Sequence, residues 1–348
     1  MGTSTASRRP VGLGGLGCGT AFKMTPPGRL ITLHNFALTD GFPPVDMIQA
    51  TDGNLYGTAQ TGGSGSDGSW GTLFKLNTAG VFTILLNFDY FGAVGALPST
   101  LLQATDGYLY GMTDDGLSQA EAIYKISTSG ELTVLYDFPP GEGSYALSLM
   151  QDTNGSLYGT IANGGTGDCE YGCGTVFTLP VGLSPFVTLL LASGKVGTTV
   201  FILGTALNST TAVYFDGTAA QFKIVSPSDV QATVPSGAGT GLVTLKELRA
   251  TLRSNVKFHV LPVISSFTPE SGPPGTVVTI TGVSLTGATM VTFGGIRATA
   301  FNVDSDRQIV ATVPPTAKTG PIGVTTPGGS AASATNFTVN GTPFEPEP

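Results

Sequence analysis

The sequence predicts an all-β protein, with propeller-like four-stranded repeats followed by two tandem β-sandwiches. Three observations favour this fold class. The chain of 348 residues holds Gly 50 and Pro 23, about a fifth of the total, which punctuate short apolar runs. A decapeptide recurs three times in the first half, and the second half contains two copies of one pattern.

The charge content is low for a soluble domain. Charged residues make up 11% of the chain, against roughly 25% in ordinary domains, and the formal net charge is −8. A surface of small polar residues suits a secreted or surface-attached protein and permits self-association. Phosphate binding needs a basic stripe, so the composition argues against a nucleic-acid partner. No apolar run is long enough to predict a membrane span.

The two ends of the chain are predicted to lie outside the domains. Residues 1–16 read as a disordered or extended segment, and residues 341–348 as a Pro-rich tail. The first segment has a basic pair but lacks the apolar stretch of a signal peptide. We expect that a signal was removed or that the gene is a fragment; a chain that is not exported is the third interpretation.

Aromatic anchors recur about every 50 residues, a period typical of propeller blades. They are Phe22, Phe74, Tyr124 and Phe177. Each repeat holds four short apolar runs separated by turn residues, which predicts four strands per blade. Residues 17–180 are therefore predicted to form three blade-like repeats plus one extra strand.

The repeated decapeptide, "QATDGNLYGT" in its first copy, predicts a structural turn. Its centre is Asp-Gly or Asn-Gly, which suits a two-residue type I′ hairpin because both residues tolerate positive φ. A catalytic Asp would not tolerate exchange for Asn, because the amide cannot ionise. The Leu-Tyr-Gly that follows places Leu and Tyr on opposite faces, and its Gly allows close backbone approach. The turn pairs are Asp52 with Gly53, Asp106 with Gly107, and Asn154 with Gly155.

The "TDGxLYGT…GTVFKL" pattern resembles the GloVer-type tandem repeat of large bacterial secreted proteins, from Gly17 to about Pro180. The third copy departs from it, because Glu121-Ala122 replaces Gly-Thr. A closed propeller usually needs at least four blades. The chain is accordingly the tail of a longer propeller, part of a ring completed by other chains, or an open β arrangement.

Residues 186–260 and 262–340 align with each other and predict two β-sandwiches. Phe215-Asp216-Gly217 matches Phe293-Gly294-Gly295. The second copy resembles an IPT/TIG immunoglobulin-like domain at Pro269, Gly272, Gly275, Thr276 and Gly282, and the first copy is a divergent version. Residues 242–255 are rich in helix formers, but the repeat favours a hairpin there.

Cys169 and Cys173 lie in one Gly-rich loop and predict a short disulfide; free thiols are the alternative. A metal site is not expected, because no further Cys or His lies nearby to complete it. Cys18 has no obvious partner in the sequence.

No catalytic grouping emerges. His34 and His259 read as strand residues, and the adjacent pair Asp114 and Asp115 as a solvated turn. Loops containing Asp67 and Asp168 could hold calcium, but they lack the spacing of a calcium loop, so no cofactor is expected.

Loop aromatics are the best binding candidates. Trp70, Tyr90 and Phe91 lie beside polar loops, where flat rings can stack on sugar faces or anchor a protein interface. Packing between blades is the alternative.

The sequence therefore favours a non-enzymatic extracellular or cell-surface protein that acts in adhesion, glycan contact or self-assembly. Its partners would be glycans, other surface proteins or copies of itself. The alternative is a polysaccharide hydrolase or lyase that uses loop carboxylates.

Overall fold

A computed structural model describes residues 18–25, 27–64, 70–114, 121–139, 145–169 and 172–341. The N-terminal segment 1–16 and nearly all of the tail lie outside these residues. The chain divides into two compact units, residues 1–184 and 185–348. The predicted all-β class is confirmed: the described residues form strands, with a single 3-10 turn at Leu207–Ser209.

The first unit contains strands β1 to β13. They are β1 Thr20–Met24, β2 Leu30–Asn35, β3 Phe42–Gln49, β4 Leu55–Thr61, β5 Thr72–Leu76, β6 Phe82–Asn87, β7 Pro98–Gln103, β8 Leu109–Thr113, β9 Ala122–Ile126, β10 Leu132–Asp137, β11 Ala146–Gln151, β12 Leu157–Ile161 and β13 Thr175–Leu179.

These strands form four antiparallel sheets, which we number in chain order. Sheet 1 is β1-β2, sheet 2 is β3-β4-β5-β6, sheet 3 is β7-β8-β9-β10 and sheet 4 is β11-β12-β13. The repeat of the sequence begins at the third strand of a sheet, so each sheet combines the end of one repeat with the start of the next. Among the described residues, the two strands of sheet 1 therefore correspond to the last two strands of sheet 2, β5 and β6. The three strands of sheet 4 correspond to its first three, β3, β4 and β5.

Consecutive sheets bury apolar side chains against each other. We call the side of a sheet that meets the next sheet its forward face, and the other side its rear face. Three clusters fill the junctions: one around Phe36 and Phe74 between sheets 1 and 2, one around Leu73 and Tyr124 between sheets 2 and 3, and one around Ile123 between sheets 3 and 4. Because side chains alternate along a strand, neighbouring residues such as Leu73 and Phe74 pack in the junctions on opposite sides of sheet 2.

The Leu-Tyr-Gly segment behaves as its pattern predicts. Leu55 packs on the rear side of sheet 2 and Tyr56 on the forward side, in different clusters. Gly111 pairs with Tyr124 of the neighbouring strand, and a Cβ at Gly111 would lie 2.3 Å from the Tyr124 hydroxyl oxygen. The glycine therefore leaves the room that the ring occupies.

The second unit contains strands β14 to β31. They are β14 Thr188–Leu189, β15 Ser193–Gly194, β16 Thr199–Leu203, β17 Thr210–Phe215, β18 Thr218–Ala220, β19 Phe222–Ser226, β20 Asp229–Thr233, β21 Gly241–Glu247, β22 Thr251–Val260, β23 Val263–Thr268, β24 Ser271–Gly272, β25 Val277–Val283, β26 Met290–Phe293, β27 Ile296–Arg297, β28 Ala300–Ser305, β29 Gln308–Thr312, β30 Gly320–Thr326 and β31 Gly329–Val339.

The two sandwiches share one topology. The first packs β14-β16-β20-β19 on β15-β22-β21-β17-β18, and the second packs β23-β25-β29-β28 on β24-β31-β30-β26-β27. Phe215 contacts Phe258 in the first core, and Phe293 contacts Phe337 at the equivalent place in the second. The hairpin predicted over residues 242–255 is confirmed, because β21 pairs antiparallel with β22. Alternating burial of its Val and Leu side chains overrides the helix propensity of the segment.

The first prediction concerns the glycine of the Leu-Tyr-Gly segment. Gly111→Ala should destabilise the first unit by roughly 1–3 kcal/mol, because the added methyl group overpacks the site against Tyr124. Urea unfolding followed by the fluorescence of Trp70, the only tryptophan of the chain, reports this unit. Thr83→Ala, an exposed change in β6, should leave the midpoint nearly unchanged. Equal midpoints for G111A and the unchanged protein would contradict the close packing.

Candidate functional site

The three predicted binding residues lie together as one aromatic cluster. The ring centroids of Trp70 and Tyr90 are 4.8 Å apart, and those of Tyr90 and Phe91 are 5.1 Å apart. Phe91 is 87% exposed, whereas Trp70 and Tyr90 are half-buried. The exposure of Phe91 shows that this ring does not pack between blades.

The backbone beside the cluster is held by short-range hydrogen bonds. The Asp89 carboxylate accepts from the backbone N–H of Phe91 at 3.1 Å, and the Asp89 carbonyl accepts from Gly92 N–H at 2.9 Å. The carbonyl of Trp70 accepts from the N–H of Leu97 at 2.9 Å. The first two bonds form a turn just after β6, and the third joins Trp70 to the residue that precedes β7.

Polar groups flank this segment. The Asn87 side-chain oxygen accepts from the backbone N–H of Ser64 at 3.0 Å, and Asn87 ends β6 just before the aromatic segment. An exposed ring, two supporting rings and nearby amide and carboxylate groups form the combination that recognises a surface with apolar and hydroxyl-rich parts.

The turns of the decapeptide differ from the predicted two-residue type I′ hairpins. The carbonyl of Ala50 accepts from the N–H of Gly53, and the N–H of Ala50 donates to the carbonyl of Asn54. Gly53 has φ +82°, whereas Asp52 does not have a positive φ. The loop therefore has three residues and closes with glycine in a bulge. The same bonds recur at Gly107 and Gly155.

The type I′ prediction was wrong. The side chains of Asp52, Asp106 and Asn154 each form a hydrogen bond with the tyrosine of the following strand. The Asp52 carboxylate accepts from the N–H of Asn54 at 3.0 Å and from the Tyr56 hydroxyl at 2.9 Å. The side chain thus ties its own turn to the tyrosine of the following strand. Ordinary negative φ at this residue directs the carboxylate back over the loop.

In sheet 3 the turn carboxylate is also paired with a lysine. Asp106 accepts from Lys125 Nζ at 2.8 Å and from the Tyr110 hydroxyl at 3.0 Å. Burial acts to raise the pKa of Asp106, but hydrogen bonds, led by the one from Lys125, outweigh it and hold the pKa below its usual value. Burial, followed by the Asp106 carboxylate, raises the pKa of Tyr110 to about 12.

The third copy replaces both charges together. Asn154 donates its side-chain N–H to the Tyr158 hydroxyl at 3.0 Å, and Thr178 occupies the position of Lys125. The exchange of Asp for Asn therefore accompanies the loss of the lysine. This explains why the sequence tolerates both residues at the turn.

The glutamines that open the second and third decapeptides join neighbouring sheets. The Gln103 side-chain carbonyl accepts from the backbone N–H of Thr51 at 2.8 Å, and that of Gln151 accepts from Thr105 at 2.9 Å. Each of these bonds links one sheet to the turn of the sheet before it. Sequence reasoning missed these residues, although their recurrence at one position was the available signal.

The remaining candidates are dispersed. The sulfur atoms of Cys169 and Cys173 are bonded, with Cα atoms 5.2 Å apart. Asp114 is buried rather than a solvated turn residue, and Asp115 and Asp67 lie outside the described residues. Asp168 is exposed. Over the described ranges, no three His, Cys, Asp or Glu side chains are grouped as metal ligands would be.

The two histidines have structural contacts. His34 Nε2 lies 2.9 Å from the Asp40 carboxylate, and its ring stacks on Phe82 at 4.1 Å. His259 Nδ1 lies 3.2 Å from the carbonyl oxygen of Pro327, within the second unit.

An apolar cavity of about 310 Å³ lies between sheets 3 and 4, lined in part by Tyr136, Phe138 and Phe177. The equivalent rings between sheets 1 and 2 surround Phe82, the first residue of a fourth strand. Sheet 4 has three strands. The cavity therefore matches the space that a fourth strand fills in sheet 2.

Comparison with known sequences identifies the family. The sequence model of the Gloeobacter/Verrucomicrobia repeat matches residues 11–221, more than half of the chain, and the chain belongs to this family. Two IPT/TIG domains match residues 185–260 and 262–343, which confirms the resemblance seen in the second half. None of the curated proteins matches the chain.

Solved structures show only distant likeness. A surface glycan-binding protein from Prevotella bryantii is 21% identical over 42% of this chain and 38% of that one, with a TM-score of 0.31. A protein of a xyloglucan utilization locus in Bacteroides uniformis is 18% identical over 44% and 50%, with a TM-score of 0.22. The chain thus spans at most half of the length of either protein. No helix among the described residues has the length and hydropathy needed to cross a membrane.

The second prediction concerns the pair Asp106 and Lys125. Asp106→Asn and Lys125→Thr should each lower the stability of the first unit at pH 7. The double variant, which copies the third repeat, should lose less than the sum of the two. The difference should be roughly 1 kcal/mol, measured by urea unfolding with Trp70 fluorescence. Additive losses would show that the pair is not coupled.

The contribution of Asp106 to the stability of the first unit should decrease as the pH falls. The folded pKa of Asp106 lies below its unfolded value, so its stabilisation is present above about pH 4 and is lost as the pH falls through the folded pKa. The stability gap between D106N and the unchanged protein should therefore narrow on acidification.

Proposed function

We propose that the protein is a non-enzymatic binding protein of the cell surface or the extracellular space, and that the Trp70, Tyr90 and Phe91 cluster contacts a glycan. The single observation that carries this proposal is the 87% exposure of Phe91 beside Tyr90, whose ring in turn contacts Trp70. A ligand that covers this ring removes a large apolar area from water, and that burial favours binding.

The chemistry of the cluster favours a neutral sugar chain. The C–H face of a pyranose is apolar and packs on a flat ring, while its hydroxyl groups need polar partners at the rim. The Asp89 carboxylate, bonded to the backbone N–H of Phe91, is such a group, and Asn87 with its partner Ser64 lies two residues before it in the chain. The net charge of −8 disfavours an anionic polysaccharide by repulsion.

The rest of the chain suits a scaffold. Hydrogen bonds hold the aromatic segment as a turn after β6, so little ordering is required on binding. The two IPT/TIG sandwiches repeat one topology, as expected of spacer domains in a surface protein. The low charge content suits the extracellular location proposed here.

The third prediction tests the cluster. Phe91→Ala should reduce retardation in gels containing a neutral polysaccharide by about tenfold in apparent affinity, because it removes the exposed ring. The assay uses a panel of neutral and anionic polysaccharides. Bound sugar should also shift the emission of Trp70, since that ring belongs to the cluster.

Leu38→Ala is the matched control. Leu38 is 62% exposed in the same unit and is not part of the cluster, so its loss should leave retardation unchanged. Retardation of F91A equal to that of the unchanged protein, or no retardation by any polysaccharide, would refute glycan contact through these rings.

A further inference from the structure

Among the described residues, no sheet of the first unit covers the forward face of sheet 4, the last sheet of the stack. Val176 on this face of sheet 4 is 77% exposed. The residues at the same repeat position in sheets 2 and 3, Leu73 and Ile123, are 0% and 1% exposed because the next sheet covers them. Met150, also in sheet 4, is 57% exposed.

The other end of the stack is open in the complementary way. Met24 and Leu30 of sheet 1 are 49% and 59% exposed. Their equivalents in sheet 2, Leu76 and Phe82, pack on the sheet before them. The rear face of sheet 1 therefore carries the side chains that elsewhere fill a junction, and no sheet precedes it among the described residues.

The charge pattern singles out the face of sheet 4. Lys75 and Lys125 lie on the forward sides of sheets 2 and 3, where they pair with turn carboxylates. At the same position sheet 4 has Thr178, and strands β11, β12 and β13 contain no charged residue. Exposed sheet surfaces normally carry charge, which discourages association. Here the exposed face is the one that has lost its charges.

We propose that a second copy of this chain covers this face: sheet 1 of one copy stacks by its rear face on the forward face of sheet 4 of another. The contact would repeat the junctions inside the unit, where rear-face side chains such as Phe74 and Leu76 pack on the forward face before them. Because the two surfaces differ, the interface is head-to-tail, and a pair of copies keeps one free face at each end for further copies.

Two variants each block one face. Val176→Lys places a positive charge on the forward face of sheet 4, and Leu30→Lys places one on the rear face of sheet 1, so the two altered faces repel each other as well as burying a charge. Both side chains are exposed in the monomer, so neither change should impair folding. The unchanged protein should show a mass that rises with concentration in sedimentation and light-scattering measurements, and each variant alone should remain a monomer.

Mixing the variants gives the decisive result. V176K keeps an intact sheet 1 and L30K keeps an intact sheet 4, so an equimolar mixture should form heterodimers and stop there, with about twice the monomer mass, because the two remaining faces both carry lysine. Val81→Lys and Leu38→Lys are matched controls, since both residues are similarly exposed and neither lies in β1, β2, β11, β12 or β13, so they should leave association unchanged.

Three results would overturn the proposal: a monomeric unchanged protein at all concentrations, a variant that dimerises by itself, or a mixture that stays monomeric. The outcome is independent of glycan contact, because neither substitution touches the cluster of Trp70, Tyr90 and Phe91. V176K should still be retarded by any polysaccharide that retards the unchanged protein.

Discussion

Burial of apolar side chains between consecutive sheets is the interaction on which the repeat unit depends. A small sheet by itself cannot remove both of its faces from water, so each one requires a neighbour on either side. Sheets 2 and 3 have both neighbours, and their central strands β4 and β8 are largely buried. The side chains of Gln103 and Gln151 add a hydrogen bond from one sheet to the turn of the sheet before it.

The same constraint explains the two ends of the stack and the proposed binding surface. Sheets 1 and 4 have incomplete strand sets and one open face each, and their exposed Leu30 and Val176 stand where interior residues are covered. The aromatic cluster is not part of a junction between sheets, because its residues lie just outside the ends of β5 and β6. Variation there does not disturb the junctions, which leaves the loop available for recognition.

Electrostatics acts locally in this chain of low charge. The carboxylate of Asp106 satisfies a backbone N–H, a tyrosine hydroxyl and a lysine in one place. When the lysine is absent, in the third copy, an amide is sufficient to hold the tyrosine. The paired change keeps an ion from being left without its partner in a partly buried turn.

The sequence by itself determined the strand pattern, the all-β class, the family of the repeat and the hairpin over residues 242–255, because these depend on local periodicity and on comparison between copies. It did not determine where each sheet begins, since hydrogen bonding between strands is nonlocal. Asp-Gly shows the limit: Asp216 and Gly217 both have positive φ in a two-residue hairpin, whereas at Gly53 the pairing of the strands selects a bulged loop. Only the tertiary structure decided that Trp70, Tyr90 and Phe91 meet, because residues far apart in sequence are joined through the pairing of β5 with β6.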